Sequence, residues 1–216
     1  RCGLPLMGVR CRTCDWPLPT NVAVVRTEVA LESLERQIDS LRQAAALSAA
    51  HISTEPGGPL YGAPRRPAEI VFLDGVQRVA RIAEEVGVSL LIEPEPELLI
   101  ETAAEFAEFM QHVESPAVGL NFDVGHQYCV GEDPADSFER LYRWVRHVHL
   151  EDIAATRKHH HLIPGDGAID IAAFLRRARQ LGYEGWITIE LYPFVDDPIG
   201  AARRAFDFVQ PLMDAK

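Results

Sequence analysis

Short apolar runs separated by helical stretches recur along this chain, most regularly from about residue 45 onward. Four of them, VSLLIEPEP, AVGLNFDVGH, VRHVHLED and WITIELYP, carry cores rich in Val, Ile and Leu. AAHISTE (49–55) precedes them as a further strand candidate, followed by the Gly- and Pro-rich loop PGGPLYGAPRRP. Between the strands, apolar residues at helical spacing predict helices over 68–86, 101–113, 134–144, near 170–181 and about 197–213. Gly87 is placed to close the first of these and Gly182 the fourth, and Thr102 with Glu105 has the spacing of a capping box. Near-continuous apolar strands alternating with helices are the pattern of a parallel sheet covered on both faces, built from right-handed βαβ units.

The first 45 residues fit this rhythm less well. Residues 28–47 read as a helix, and GLPLMGVRC and NVAVVRTEV are two further strand candidates. A closed β/α barrel needs eight strands and usually about 250 residues. The expectation is therefore a single α/β domain over 1–216, a TIM-type barrel with βα repeats over 48–213 and a poorly matched start over 1–45.

The chemistry sits at the strand ends. Glu93, Asp123, His149 and Glu190 each stand at the end of one apolar run. In a β/α barrel those ends converge on one rim, which would bring the four side chains together. Two Glu, one Asp and one His without a thiolate suit a hard or borderline divalent cation: Mn2+, Mg2+ or Co2+, with Zn2+ as a further option.

Composition narrows the partners. With 47% apolar residues the chain has material for a sizeable core, and its longest apolar runs are far too short for a membrane span. A formal net charge of −11 argues against a nucleic-acid partner and against an anionic membrane surface. Cys11 and Cys14 have the spacing of half a zinc site, with Cys2 nearby and Cys129 distant, but no second pair completes a ligand set. Nothing in this cysteine usage calls for an oxidising compartment, so the expected location is cytoplasmic. Residues 1–20 lack the order of a secretory leader, and a start at Arg1 reads as a fragment or a processed form.

IEPEP, NFDVGH, HVHLED, HHHLIPGDGAID and GYEGWITIEL, taken in order over residues 48–213, resemble the xylose-isomerase-like sugar phosphate isomerase and epimerase superfamily. That superfamily also includes DNA-repair enzymes of the endonuclease IV type. The resemblance implies that Glu93, Asp123, His149 and Glu190 are metal ligands, with His149 preferred over His147. It gives His126 a contact to substrate or metal and offers His161 as an extra metal ligand. Asp166 stands where relatives carry Glu, and Glu55 where many place a site-facing His. Arg157 and Glu55, with Glu95 and Glu97, are stand-ins for substrate contacts.

The activity implied is proton transfer next to a carbonyl of a small sugar, sugar phosphate or cyclitol, with Glu93 and Glu190 as acid and base and His126 polarising a substrate oxygen. Isomerisation or epimerisation is expected ahead of the lyase or dehydratase chemistry that the same equipment supports. A non-catalytic barrel is the third reading. Bland roles compete throughout: His147 as a packed strand residue, Lys158 to His161 as a solvated loop, and Glu95 and Glu97 as loop charges between prolines. An incomplete barrel would leave strand edges for a second copy to cover, so a homo-oligomer is a further expectation.

Overall fold

The computed structural model describes residues 27–62 and 64–214. Cys2, Cys11, Cys14 and the GLPLMGVRC candidate lie outside them. So does NVAVVRTEV up to residue 26, and its last three residues already belong to a helix.

The described chain divides into two compact units. The first comprises residues up to Ile92 together with 97–100 and 105–119; the second comprises 93–96, 101–104 and everything from Leu120 onward.

In the first unit, helix α1 (Thr27–Ala46) leads into strand β1 (His51–Thr54), and helix α2 (Arg65–Val86) into strand β2 (Ser89–Ile92). The two strands run parallel, from His51 opposite Ser89 to Thr54 opposite Ile92. Val76, Val79, Ala80 and Ala83 of α2 are buried, the i, i+3, i+4, i+7 stripe of an amphipathic helix. Sequence periodicity starts this helix at residue 68, after Pro67, but it begins three residues earlier. Proline fits the first helical turn, where its missing N–H has no partner to lose. Gly87 ends α2 as expected, with φ 71° and its N–H donating to the Ala83 carbonyl. Helix α3 (Ala103–Met110) is shorter than the stretch predicted over 101–113. Phe109 packs against Phe72 of α2 with ring centroids 5.3 Å apart.

Strand β3 (Val118–Asp123) starts in the first unit and runs into the second. In the second unit β3 pairs with β4 (Val145–Leu150), and β4 with β5 (Ile187–Ile189), both parallel. Side chains alternate across these strands. Phe122 of β3 turns to the helices, where it meets Phe138 of α5 (Pro134–Leu141) edge-on at 5.1 Å and Phe174 of α6 (Ile171–Gln180) stacked at 6.0 Å. All three rings are fully buried. Asn121 and Asp123 therefore face the other way, beside His147 and His149 of β4. The apolar face of this sheet holds the helices and the polar face holds the chemistry.

Aspartates set the helix starts. Asp133 caps α5 by accepting from Ala135 N and Asp136 N, and Asp170 caps α6 by accepting from Ala173 N. The stretch predicted as helix over 134–144 closes with a 3-10 turn at Tyr142–Trp144. The last helix, α7 (Pro198–Asp214), packs Ala201 and Ala205 against Ile163, with Ile189, Leu191 and Phe194 alongside.

Candidate metal centre

Glu93 directly follows β2, Asp123 ends β3, His149 lies near the end of β4, and Glu190 directly follows β5. All four belong to the second unit, and one ligand atom from each lies within 4.8 Å of the others. The register explains the meeting: Asp123 is the direct cross-strand partner of His149, and Glu190 N donates to the Leu150 carbonyl at 3.0 Å.

Two carboxylates crowd a single imidazole nitrogen. His149 Nδ1 is 2.8 Å from Glu93 Oε1 and 3.3 Å from Glu190 Oε2. Burial alone would push this imidazole down, but hydrogen bonds to Glu190 and Glu93, with the charges of Glu93 and Asp123, outweigh it and raise its pKa to about 10. The hydrogen bond to His149 in turn holds Glu190 below the usual carboxylate range. Asp123 Oδ2 is buried without a hydrogen-bond partner. A converging O,O,O,N set with one orphaned oxygen fits a hard or borderline divalent cation, and Glu93, Asp123, His149 and Glu190 are the residues that would hold it.

His126 sits beside this group on α4 (Val124–Cys129), a short helix absent from the sequence expectation. Asp123 caps it, Oδ1 accepting from His126 N at 2.6 Å. The His126 side chain is buried, and its Nδ1 donates to the Pro94 carbonyl at 3.0 Å. A neutral ring so bound keeps its lone pair on Nε2, so it accepts rather than donates. That nitrogen lies 3.1 Å from His159 Nε2, which lies 3.1 Å from His161 Nε2.

The Lys158 to His161 run thus splits. His160 is exposed, His159 is half-buried and His161 is buried against the ring of Tyr192 at 4.6 Å. Burial and then the neighbouring imidazoles push His159 down to about 4, and burial also lowers His161. His147 hydrogen-bonds Thr188 of β5.

Two acidic residues of HVHLED escaped the sequence reading. Glu151 is fully buried, and burial followed by the nearby Asp123 raises its pKa well above the carboxylate range. Strand alternation contained the signal, since 147, 149 and 151 share one face. Asp152 is also buried and organises the following loop. Its Oδ2 accepts from Gly165 N and Gly167 N, and its Oδ1 from Ile153 N and Ile169 N.

Other sequence candidates lie differently. Arg157 stacks on the Tyr128 ring at 4.1 Å and donates to the Tyr128 carbonyl. Asp166 forms a bidentate pair with Arg204 at the surface. Glu55 is exposed and belongs to the first unit.

A family model, the xylose isomerase-like TIM barrel, matches residues 3–212. The chain belongs to that family. Its parallel strands β1 to β5 are strands of that barrel, the fold expected from sequence. Among solved structures, a D-tagatose 3-epimerase-like protein superposes with a TM-score of 0.79 at 23% identity, over 90% of this chain and 73% of that one. The IOLI protein, solved with a bound zinc atom, gives 0.74 at 19% identity over 88% and 74%. In sequence, the chain is 27% identical to inosose dehydratase of Geobacillus kaustophilus (strain HTA426), over 75% of this chain and 62% of that protein. It spans about three-fifths of the length of that relative and about half that of similar ones. No helix among the described residues is long and apolar enough to cross a membrane.

Proposed function

We propose that this chain carries a divalent-metal-dependent lyase site that removes water from a keto-cyclitol or keto-sugar. The observation that carries it is the convergence of Glu93, Asp123, His149 and Glu190 in a chain similar to inosose dehydratases. The sequence alone favoured isomerisation; the similarity to inosose dehydratases supports the lyase alternative.

When bound, a divalent cation acts as a Lewis acid on the substrate carbonyl and acidifies the adjacent C–H. Glu190 then takes that proton: it is half-buried, and its lowered pKa keeps it ionised near neutrality. As the electron pair forms the new C=C bond, the C–O bond at the next carbon breaks. The same proton passes to the departing hydroxyl, and water leaves. His126 Nε2 accepts from a substrate hydroxyl and orients the ring, in place of the polarising role expected from sequence. His161 is the candidate for an extra metal ligand beside these four.

Epimerisation is the second reading, favoured by the epimerase-like fold neighbour. It needs a second carboxylate to return the proton from the opposite face, and Glu93 is the candidate.

The test is incubation with an inosose and with ketohexoses, in Mn2+, Co2+ or Zn2+, followed by mass spectrometry and NMR. Loss of water from the inosose supports the lyase. Epimer formation without water loss transfers the site to the second reading. No change in any substrate, by a protein that retains metal, removes both.

A further inference from the structure

We infer that the chain binds a second divalent cation, held by Glu151, His161 and Glu190, with Glu190 shared with the Glu93–Asp123–His149 set. This rests on the metal reading of that set.

The three side chains offer ligand atoms within 4.8 Å of one another. Two of them are buried groups with orphaned atoms. Glu151 is 0% exposed, its carboxyl lying against Gly125 and Asp123 with neither oxygen in a well-formed hydrogen bond, and His161 is 1% exposed with Nδ1 unpartnered. His161 Nδ1 is 4.0 Å from Glu190 Oε2, too far for a hydrogen bond. Two ligands on one cation with bonds of about 2.1 Å can stand up to about 4.2 Å apart.

Charge points the same way. Glu93, Asp123, Glu151 and Glu190 lie in one site, and among the described residues none of them pairs with a Lys or Arg; Glu93, Asp123 and Glu190 have imidazoles beside them, and Glu151 has none. One divalent cation offsets two of these carboxylates and leaves two in a buried setting, which is costly. A proton shared between Glu151 and Asp123 would ease that but leave His161 Nδ1 orphaned. A cation satisfies Glu151 and His161 together. Gly125 gives Glu151 its place: a Cβ there would stand 1.7 Å from Glu151 Oε1. One imidazole with two carboxylates suits Mn2+, Co2+ or Zn2+.

The experiment is Mn2+ titration of the whole chain, with bound metal counted by plasma mass spectrometry after desalting and examined by electron paramagnetic resonance. About two equivalents are expected, with the resonance of a coupled pair. Glu151→Gln should keep one equivalent and lose the other, while His159→Asn keeps both. A wild type that saturates at one equivalent overturns the inference and leaves the first site standing. Two equivalents with the second lost in His159→Asn and kept in Glu151→Gln also overturn it, because the three imidazoles then hold the cation. No retained Mn2+ at all ends the metal reading of both sites. Should Glu151→Gln fail to fold, the wild-type spectrum still decides: isolated-ion resonance at saturation refutes the shared Glu190.

Discussion

Gly125 lies directly against the Glu151 carboxyl, with room for a hydrogen and nothing larger: an added Cβ would stand 2.8 Å from Glu151 Cδ and closer still to Oε1. The residue before His126 and the residue two after His149 are thereby locked together across two elements. Gly125→Ala must displace either α4 or the Glu151 side chain. We expect a loss of about 1–3 kcal/mol in unfolding free energy, the usual cost of overpacking. Weakened metal retention should accompany it, because α4 is capped by Asp123. Denaturant melts with and without Mn2+ measure both.

Metal uptake should expel a proton. In the metal-free protein His149 titrates at about 10, so it is protonated at neutral pH, and a cation must displace that proton. Apparent affinity should fall by up to about tenfold per unit of acidification below that value. Calorimetry in buffers of different ionisation enthalpy counts the proton; uptake without release would contradict the assignment. The same raised value stabilises the metal-free fold. That contribution is complete below the ordinary histidine pKa of about 6.5 and is lost as pH rises through about 10. Denaturant melts of the metal-free chain across that window should show the decline, and His149→Gln should flatten it.

His159 should behave in the opposite sense. Its folded value of about 4 lies below its unfolded one, so the unfolded chain takes up the proton first. Its contribution to stability is complete above about pH 6.5 and is lost progressively as pH falls toward about 4. An imidazole resonance titrating near neutrality would contradict the packing of His159 between His126 and His161.

Removing the Asp152 carboxylate should loosen one loop and spare the rest. It accepts from four backbone N–H groups, and Asn supplies a single acceptor oxygen in its place. Asp152→Asn should cost about 1.5–3 kcal/mol. Amide exchange should quicken at Gly165, Gly167 and Ile169, with little change in α5.

Glu190→Gln keeps the shape of the side chain and removes the charge that His149 reads. Turnover should drop by about a hundredfold or more and metal retention should fall with it. Full turnover in a metal-free variant would end the proposed mechanism.

The strand ends were legible because each site residue terminates an apolar run, and runs buried on both faces look alike wherever they occur. Glu151 was equally readable in principle, since it continues the alternation of His147 and His149. It was passed over because Glu beside Asp looks like a solvated loop. The burial of His126 needed the Asp123 cap and the Pro94 carbonyl, a contact spanning 32 residues that no local pattern contains. Asp166, a loop position that matched a family pattern, pairs at the surface with Arg204, 38 residues away, another contact that no local pattern contains.

Asp123 divides its two oxygens between different tasks. Oδ1 is tied to His126 N at 2.6 Å, which leaves Oδ2 as the oxygen free for a ligand. A carboxylate pinned in this way has already surrendered its rotational freedom, so an arriving ion need not order it. Anything that tugs on Oδ2 also pulls the first turn of α4. Occupancy of the centre and the posture of His126 are therefore geared to each other through one side chain.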